Sequence, residues 1–396
     1  MDISPNSVLR RYPNRTNDQH ARLDASNVDR LRGSMKRISF LIKPASSTCN
    51  MRCRYCFYAD VAEHRETPNH GIMDAATYQA IVDRAFGLGD DTEVTFAFQG
   101  GEPTCAGLDF FRSFCAYVDE HRTRQTIHLA IQTNGYVIDD TWAAFLAQHN
   151  FLVGVSIDGY PEMHDWLRPD ARGEGTMARV LDAIAALRRA GADFNILTVL
   201  TDQLAHHPQK LYRFYRQHKF DFVQLIPCLP GLDKTSDEFS LEPESFASFY
   251  KTFFRLWLED FKRGGHMSIT LFDNVIPLFV GIRPQQCGML GSCAPQFVVE
   301  GNGDVYPCDF YVLDRYRLGN IREDSLESMA TCDALRAFLA EPRRDCSQCA
   351  SCPFERICHK NCKRLNTCYY REDYCGYRDF LEYAAPDMVA IARTLQ

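Results

Sequence analysis

Seventeen cysteines, many of them bunched at gaps of two or three residues, constrain this chain more than any other feature. In a secreted protein such a count suggests disulfides, but clustered cysteines in a long chain point to metal, and an odd number fits full pairing badly. Cys105, Cys115 and Cys332 stand alone and read as small buried apolar residues. Apart from Cys228, the others gather in Cys49-x-x-x-Cys53-x-x-Cys56 and in a second run from Cys287 to Cys375.

The 396 residues are 45% hydrophobic and 24% charged, enough for a large core and two domains. Lys and Arg number 44 against 51 Asp and Glu, for a net charge of -7, and no block of like charge stands out. Neither nucleic acid nor an anionic membrane is an expected partner. Arg10-Arg11 is followed by Tyr-Pro-Asn-Arg rather than the apolar stretch of an export signal, and no later run could span a bilayer. A cytoplasmic monomer is expected.

From residue 38 to about 230, short β-branched runs alternate with helical patterns, which predicts βα units around a parallel sheet. The expected strands are Ile38–Lys43, Glu93–Phe98, Ile127–Gln132, Leu152–Ile157, Asn195–Leu200 and Phe222–Ile226, an incomplete barrel. Thr176–Ala190 places Met177, Val180, Leu181, Ile184 and Leu187 on one stripe of a covering helix. Gln99-Gly100-Gly101-Glu102-Pro103, Gln132-Thr133-Asn134-Gly135 and Ser156-Ile157-Asp158-Gly159 all fall at strand ends, where parallel α/β folds bind ligands. Any one alone would be a plain βα turn. Pro243–Gly264 reads as a long helix, and Phe297–Val299 with Val305–Tyr306 as a hairpin opening a second domain. The expected organisation is an N-terminal extension at 1–36 (with Met35 as an alternative start), a barrel at 37–230, a helical linker at 231–285 and a cysteine-rich domain at 286–396.

Three thiolates, Cys49, Cys53 and Cys56, can hold three irons of a cubane and leave the fourth open to a ligand. A structural zinc site is the alternative, but it wants four protein ligands and no fourth Cys or His lies close by. With Tyr55 before its last cysteine, this motif resembles the signature of radical S-adenosylmethionine enzymes. That resemblance implies a partial (β/α)6 barrel of the radical SAM type, S-adenosylmethionine on the open iron, and reductive cleavage to a 5′-deoxyadenosyl radical. It also implies that Gly101 and Glu102 meet the methionine ammonium, that Ser156 and Arg168 contact its carboxylate and the ribose, and that Tyr55 and Leu229 line the site. Without the resemblance Arg168 reads as a surface residue.

The second region resembles the SPASM type, a smaller α+β iron-sulfur domain with two further [4Fe-4S] clusters, three in all. The family's interleaved order implies Cys287, Cys293, Cys308 and Cys362 for the inner cluster, and Cys349, Cys352, Cys358 and Cys375 for the outer. Cys346 and Cys368 are in excess. The stretches Leu41-Ile42-Lys43-Pro44-Ala45-Ser46-Ser47, Phe96–Thr104 and Val305–Asp314 narrow the resemblance to anaerobic sulfatase-maturating enzymes. The implied reaction oxidises a Cys or Ser in an unfolded Cys/Ser-x-Pro-x-Arg segment of a sulfatase to Cα-formylglycine, with a flavodoxin or ferredoxin as electron donor. Hydrogen abstraction from Cβ, removal of the thiol or hydroxyl proton by Asp309, loss of the remaining electron through an auxiliary cluster, and hydrolysis of a thioaldehyde would complete it. Without the resemblance Asp309 is a solvent-facing residue after a hairpin. Tyr58, Gln99, His164 and Asp165 lie near these motifs without an assigned role. The rival readings are another SPASM peptide-modifying enzyme, making a thioether or carbon-carbon crosslink, and a non-catalytic zinc-binding adaptor.

Overall fold

A computed structural model describes residues 37–344 and 346–395; the extension expected at 1–36 lies outside them. Six parallel strands, β1 (Arg37–Ile42), β2 (Glu93–Phe98), β3 (Thr126–Thr133), β4 (Phe151–Ser156), β5 (Phe194–Leu200) and β6 (Phe222–Pro227), pair in sequence order. Each matches its expected range, displaced by no more than a residue at either end. Alternation decides which side chains enter the core: Val94, Phe96 and Phe98 of β2 are fully buried between less buried neighbours.

Helices return the chain between strands. α1 (Phe57–Glu63) follows the first cysteine loop, and α2 (Ala75–Phe86) starts where the Asp74 side chain accepts from Thr77 N at 2.8 Å. Such a cap stabilises a helix by about 1 kcal/mol. α3 (Leu108–His121) buries Phe111 and Phe114 against Phe98, with ring centroids 5.0 Å away in both cases. Further along come α4 (Asp140–Gln148), α5 (Pro161–Leu167) and α6 (Met177–Ala190). On α6 the expected stripe buries Met177, Val180, Ile184 and Leu187, while Leu181 is half-buried. The helix stops at Gly191, whose φ of 72° is left-handed.

The linker is not wholly helical. After α7 (Pro243–Lys262) it adds β7 (Ser268–Ile269) to the free edge of β6. The hairpin β8 (Phe297–Val299) and β9 (Asp304–Tyr306) does not start a detached layer either. β8 pairs in parallel with β1 in the register Phe40↔Phe297, Leu41↔Val298 and Ile42↔Val299, and β10 (Gly319–Asn320) follows β9. One ten-stranded sheet results, in the order β10-β9-β8-β1-β2-β3-β4-β5-β6-β7. The cysteine-rich region is thereby fixed beside the first cysteine loop. Its last helix, α8 (Gly376–Ala392), packs on α7 so closely that a Cβ on Gly376 would stand 2.0 Å from the Pro243 carbonyl oxygen.

Candidate iron-sulfur and cofactor site

Strand β1 ends into the loop that carries Cys49, Cys53 and Cys56, all half-buried. The loop is anchored on both sides. Residues 52 and 54 donate backbone bonds to the carbonyls of Pro169 and Leu167 at 2.8 and 3.0 Å, and Gly101 and Glu102 donate to Ser46 O and Thr48 O at 2.9 and 2.8 Å. Gly101 is required there because a Cβ would stand 2.4 Å from Thr48 O. Asn134, from the end of β3, reaches Asn50 Oδ1 at 2.8 Å and Cys49 Sγ at 3.8 Å. The polar turns after β2 and β3 therefore hold the cysteine loop.

Burial pushes the Cys49 thiol up to about 12 and the Cys53 thiol to about 11. Thiolates at these positions need cations beside them, and the irons of a cubane would supply that charge. A second feature beside the loop is a buried donor without a partner. Arg168, taken for a surface residue on sequence alone, is 7% exposed; its Nη1 donates to Tyr55 Oη at 2.7 Å and to Asp158 Oδ2 at 3.3 Å. Tyr55 in turn bonds Asp158. Arg168 Nε is buried with no partner, an open position that an anionic group such as a carboxylate would fill.

Ser156 closes β4, and its hydroxyl accepts from Gln132 Nε2 at 3.0 Å. That amide crosses residue 154, where a Cβ would meet Gln132 Oε1 at 2.1 Å, so glycine is needed there. Leu229 is buried just beyond the end of β6. Glu102 is already held within the protein by four hydrogen bonds. Oε1 accepts from Thr104 N, Thr104 Oγ1 and Thr133 Oγ1 at 3.1, 2.6 and 2.7 Å, and Oε2 from Asn134 N at 2.7 Å. Its carboxylate braces the turns around the pocket, whatever else it touches.

Sequence reasoning passed over Asp158, which ties Tyr55 and Arg168 together, and left His164 without a role. Asp158 Oδ1 accepts from Val199 N at 2.8 Å, and its own N–H donates to His164 Nδ1 at 3.1 Å. Asp165 accepts from Thr176 N and Met177 N and so caps α6.

A second group of side chains converges on Asp309, which follows Cys308. Tyr58 Oη donates to Asp309 Oδ2 at 2.7 Å, and Gln99 Nε2 donates to Tyr58 Oη at 2.6 Å and to Asp309 Oδ2 at 3.4 Å. Tyr58 and Gln99 come from the cysteine loop's helix and from the end of β2, so Asp309 faces the mouth of the barrel rather than solvent. Burial, then the Asp309 charge, hold the Tyr58 hydroxyl well above its ordinary range, so it stays a donor.

In the cysteine-rich region, Cys287, Cys293 and Cys308 each lie within electrostatic reach of Cys362, and Gly288 packs on Cys362 Cβ. One cavity is lined by Cys349, Cys352, Cys358 and Cys375, with Phe354 and Tyr370 closing it. Cys346, buried near Cys349, does not line it, and Cys368 Sγ donates to Cys228 O at 3.2 Å. Among the described residues, no three His, Cys, Asp or Glu side chains close on a single-ion site. A cubane takes its thiolates at separate corners, and the two quartets suit such a group.

The family model of the radical SAM superfamily matches residues 44–215, and that of an iron-sulfur cluster-binding domain matches 292–353. The cysteine-type anaerobic sulfatase-maturating enzyme of Clostridium novyi is 38% identical over 370 residues, covering 91% of this chain and 99% of that one. The serine-type enzyme of Bacteroides thetaiotaomicron is 29% identical over 378 residues, covering 89% and 91%. Among solved structures, native anSMEcpe with bound AdoMet and Cp18Cys peptide superposes with a TM-score of 0.83 at 36% identity, over 91% of this chain and 100% of that chain.

Proposed function

Because the chain belongs to the anaerobic sulfatase-maturating enzymes of the radical S-adenosylmethionine superfamily, we propose that it is a cysteine-type maturase in which Asp309 takes the substrate's thiol proton. Its reaction is the oxidation of a Cys or Ser of a sulfatase to Cα-formylglycine, by hydrogen abstraction from Cβ. Bound S-adenosylmethionine and its reduced cluster supply the 5′-deoxyadenosyl radical that abstracts this hydrogen. Cys49, Cys53 and Cys56 would hold that cluster; Cys287, Cys293, Cys308 and Cys362 would hold one auxiliary cluster, and Cys349, Cys352, Cys358 and Cys375 the other.

The observation that carries the role of Asp309 is its position: a carboxylate bonded by Tyr58 and Gln99, immediately after a cysteine of the inner quartet. Tyr58 and Gln99 orient one oxygen, and Arg168, with Tyr55 and Asp158, offers the free N–H for the cofactor's carboxylate. The two groups of side chains separate the work, one binding the cofactor and the other deprotonating the substrate. The cysteine-type reading is supported by the 38% identity to a cysteine-type enzyme against 29% to a serine-type one over similar lengths.

The partner that fits is an extended sulfatase segment containing Cys-x-Pro-x-Arg, with a flavodoxin or ferredoxin supplying the electron to a monomeric enzyme. No helix among the described residues is long and apolar enough to cross a membrane. The test is anaerobic incubation with Cys-x-Pro-x-Arg and Ser-x-Pro-x-Arg peptides, followed by mass spectrometry. Faster conversion of the Cys peptide to the aldehyde supports the cysteine-type reading, and a preference for Ser refutes it.

A further inference from the structure

The register Ile42↔Val299 between β1 and β8 brings the next residue of each strand, Lys43 and Glu300, out side by side at the same end of the sheet. Both are buried, Lys43 at 3% and Glu300 at 1% exposure. The Lys43 ammonium lies 3.7 Å from Glu300 Oε1, 3.4 Å from Asp309 Oδ1 and 4.8 Å over the Tyr58 ring. Glu300 Oε1 also accepts from Arg65 Nη1 at 2.7 Å, and that guanidinium is buried too. A row of alternating charge, Asp309, Lys43, Glu300 and Arg65, thus runs from the site into the seam between barrel and hairpin.

Stability does not explain such a row. Apolar residues of similar volume commonly hold a seam as well as buried ion pairs do, without the desolvation cost. The two oxygens of Asp309 are also used differently. Oδ2 accepts from Tyr58 and Gln99, whereas Oδ1 is buried, makes no hydrogen bond, and has the Lys43 ammonium beside it. The cofactor turn packs on the same lysine, because a Cβ at Gly100 would stand 3.0 Å from Lys43 Cγ.

We propose that Lys43 is the positioning residue for the proton-accepting step: held by Glu300 and Arg65, its ammonium fixes Oδ1 and so the orientation of the Asp309 carboxylate toward the substrate. The proposal rests on Asp309 being the proton acceptor. Without the ammonium the carboxylate can turn, and a misplacement of about 1 Å is enough to cost on the order of 100-fold in rate. Cleavage of the cofactor does not use Asp309, so it would continue.

The test compares variants of the cluster-loaded enzyme in one anaerobic assay with a Cys-x-Pro-x-Arg peptide, measuring 5′-deoxyadenosine and formylglycine together. Lys43→Met alone leaves two buried carboxylates facing one arginine and can fail to fold. Lys43→Met with Glu300→Gln removes one charge of each sign and keeps the seam neutral. The expected result is wild-type iron content and 5′-deoxyadenosine in this double variant, with formylglycine down by about 100-fold. A ratio of the two products equal to wild type would show that Lys43 only neutralises Glu300, and would overturn the proposal. Asp309→Asn, run beside it, separates the two readings. If Asp309→Asn is uncoupled and the double variant is not, the role of Lys43 alone falls; if Asp309→Asn stays coupled, both fall.

Discussion

The Tyr58 hydroxyl donates to Asp309 Oδ2 at 2.7 Å across 251 positions of sequence, and joins the helix after the first cysteine loop to the segment that follows the β8–β9 hairpin and carries Cys308. The Asp309 carboxylate is thereby oriented from the side of the first cysteine loop.

Replacing Asp309 by Asn keeps size and shape but removes the proposed proton acceptor. 5′-Deoxyadenosine should still form while formylglycine falls by roughly 100- to 10,000-fold, the range for loss of a general base. Tyr58→Phe removes one hydrogen bond to a charged group, worth about 1.5–3 kcal/mol, so its yield should fall less, by about 10- to 100-fold. Both products measured by liquid chromatography and mass spectrometry decide it. Near-normal formylglycine from the Asn variant would mean that the proton goes elsewhere.

Replacing Cys49, Cys53 and Cys56 together by Ala should abolish 5′-deoxyadenosine. The two cysteine quartets lie in a different part of the chain, so the variant should retain about eight of the roughly twelve irons that three cubanes contain. Iron and acid-labile sulfide analysis, read with the cleavage assay, tests this. Undiminished cleavage would remove the three cysteines from the cofactor site.

Local pattern carried the reading of β1 to β6, α6 and α7, because period-2 and period-3.6 burial is written within each segment. What depends on distant segments meeting was not legible. Lys43 and Glu300 each look like a polar residue at a strand end, and their burial follows only from β8 arriving beside β1. Arg168 reads as exposed because its partners Tyr55 and Asp158 come from the cysteine loop and from the end of β4. Asp309 and the cysteines were assigned through the family's motifs. Tyr58 and Gln99, beside those motifs but without spacing of their own, found their role only in the fold.

His164 predicts a pH dependence of stability. It is fully buried; Nδ1 accepts from Asp158 N, while Thr176 spends its hydroxyl proton on Arg168 O at 2.7 Å, so Nε2–H must donate to Thr176 Oγ1. Burial first, and then the nearby Arg168 charge, hold the imidazole well below 6.5, so the folded state keeps it neutral. The unfolded chain takes up a proton below about 6.5, so the contribution is present above that pH and is lost as pH falls, by about 1.4 kcal/mol per unit. Denaturant unfolding of wild type and His164→Gln between pH 7.5 and 5.5 should show the steeper acid loss only in wild type. Parallel curves would exclude it.

Arg168 gives the sharpest test of the proposed cofactor pocket, because the same side chain is bonded inside the protein at one nitrogen and unpartnered at another. Nη1 is committed to Tyr55 and Asp158, whereas Nε is buried and free. Lysine keeps the charge but has no fixed fork of donors, so Arg168→Lys cannot reach both partners and still present an N–H to a carboxylate. A lost hydrogen bond between charged groups costs about 1.5–3 kcal/mol, and the weakening of S-adenosylmethionine binding should be about 10- to 100-fold. Equilibrium dialysis against labelled cofactor measures it on cluster-loaded protein without requiring turnover. Asp158→Asn should weaken binding less, since it loosens the guanidinium but leaves the free N–H in place. Equal affinity in wild type and the Lys variant would move the carboxylate contact to another residue and leave Arg168 as a brace for Tyr55.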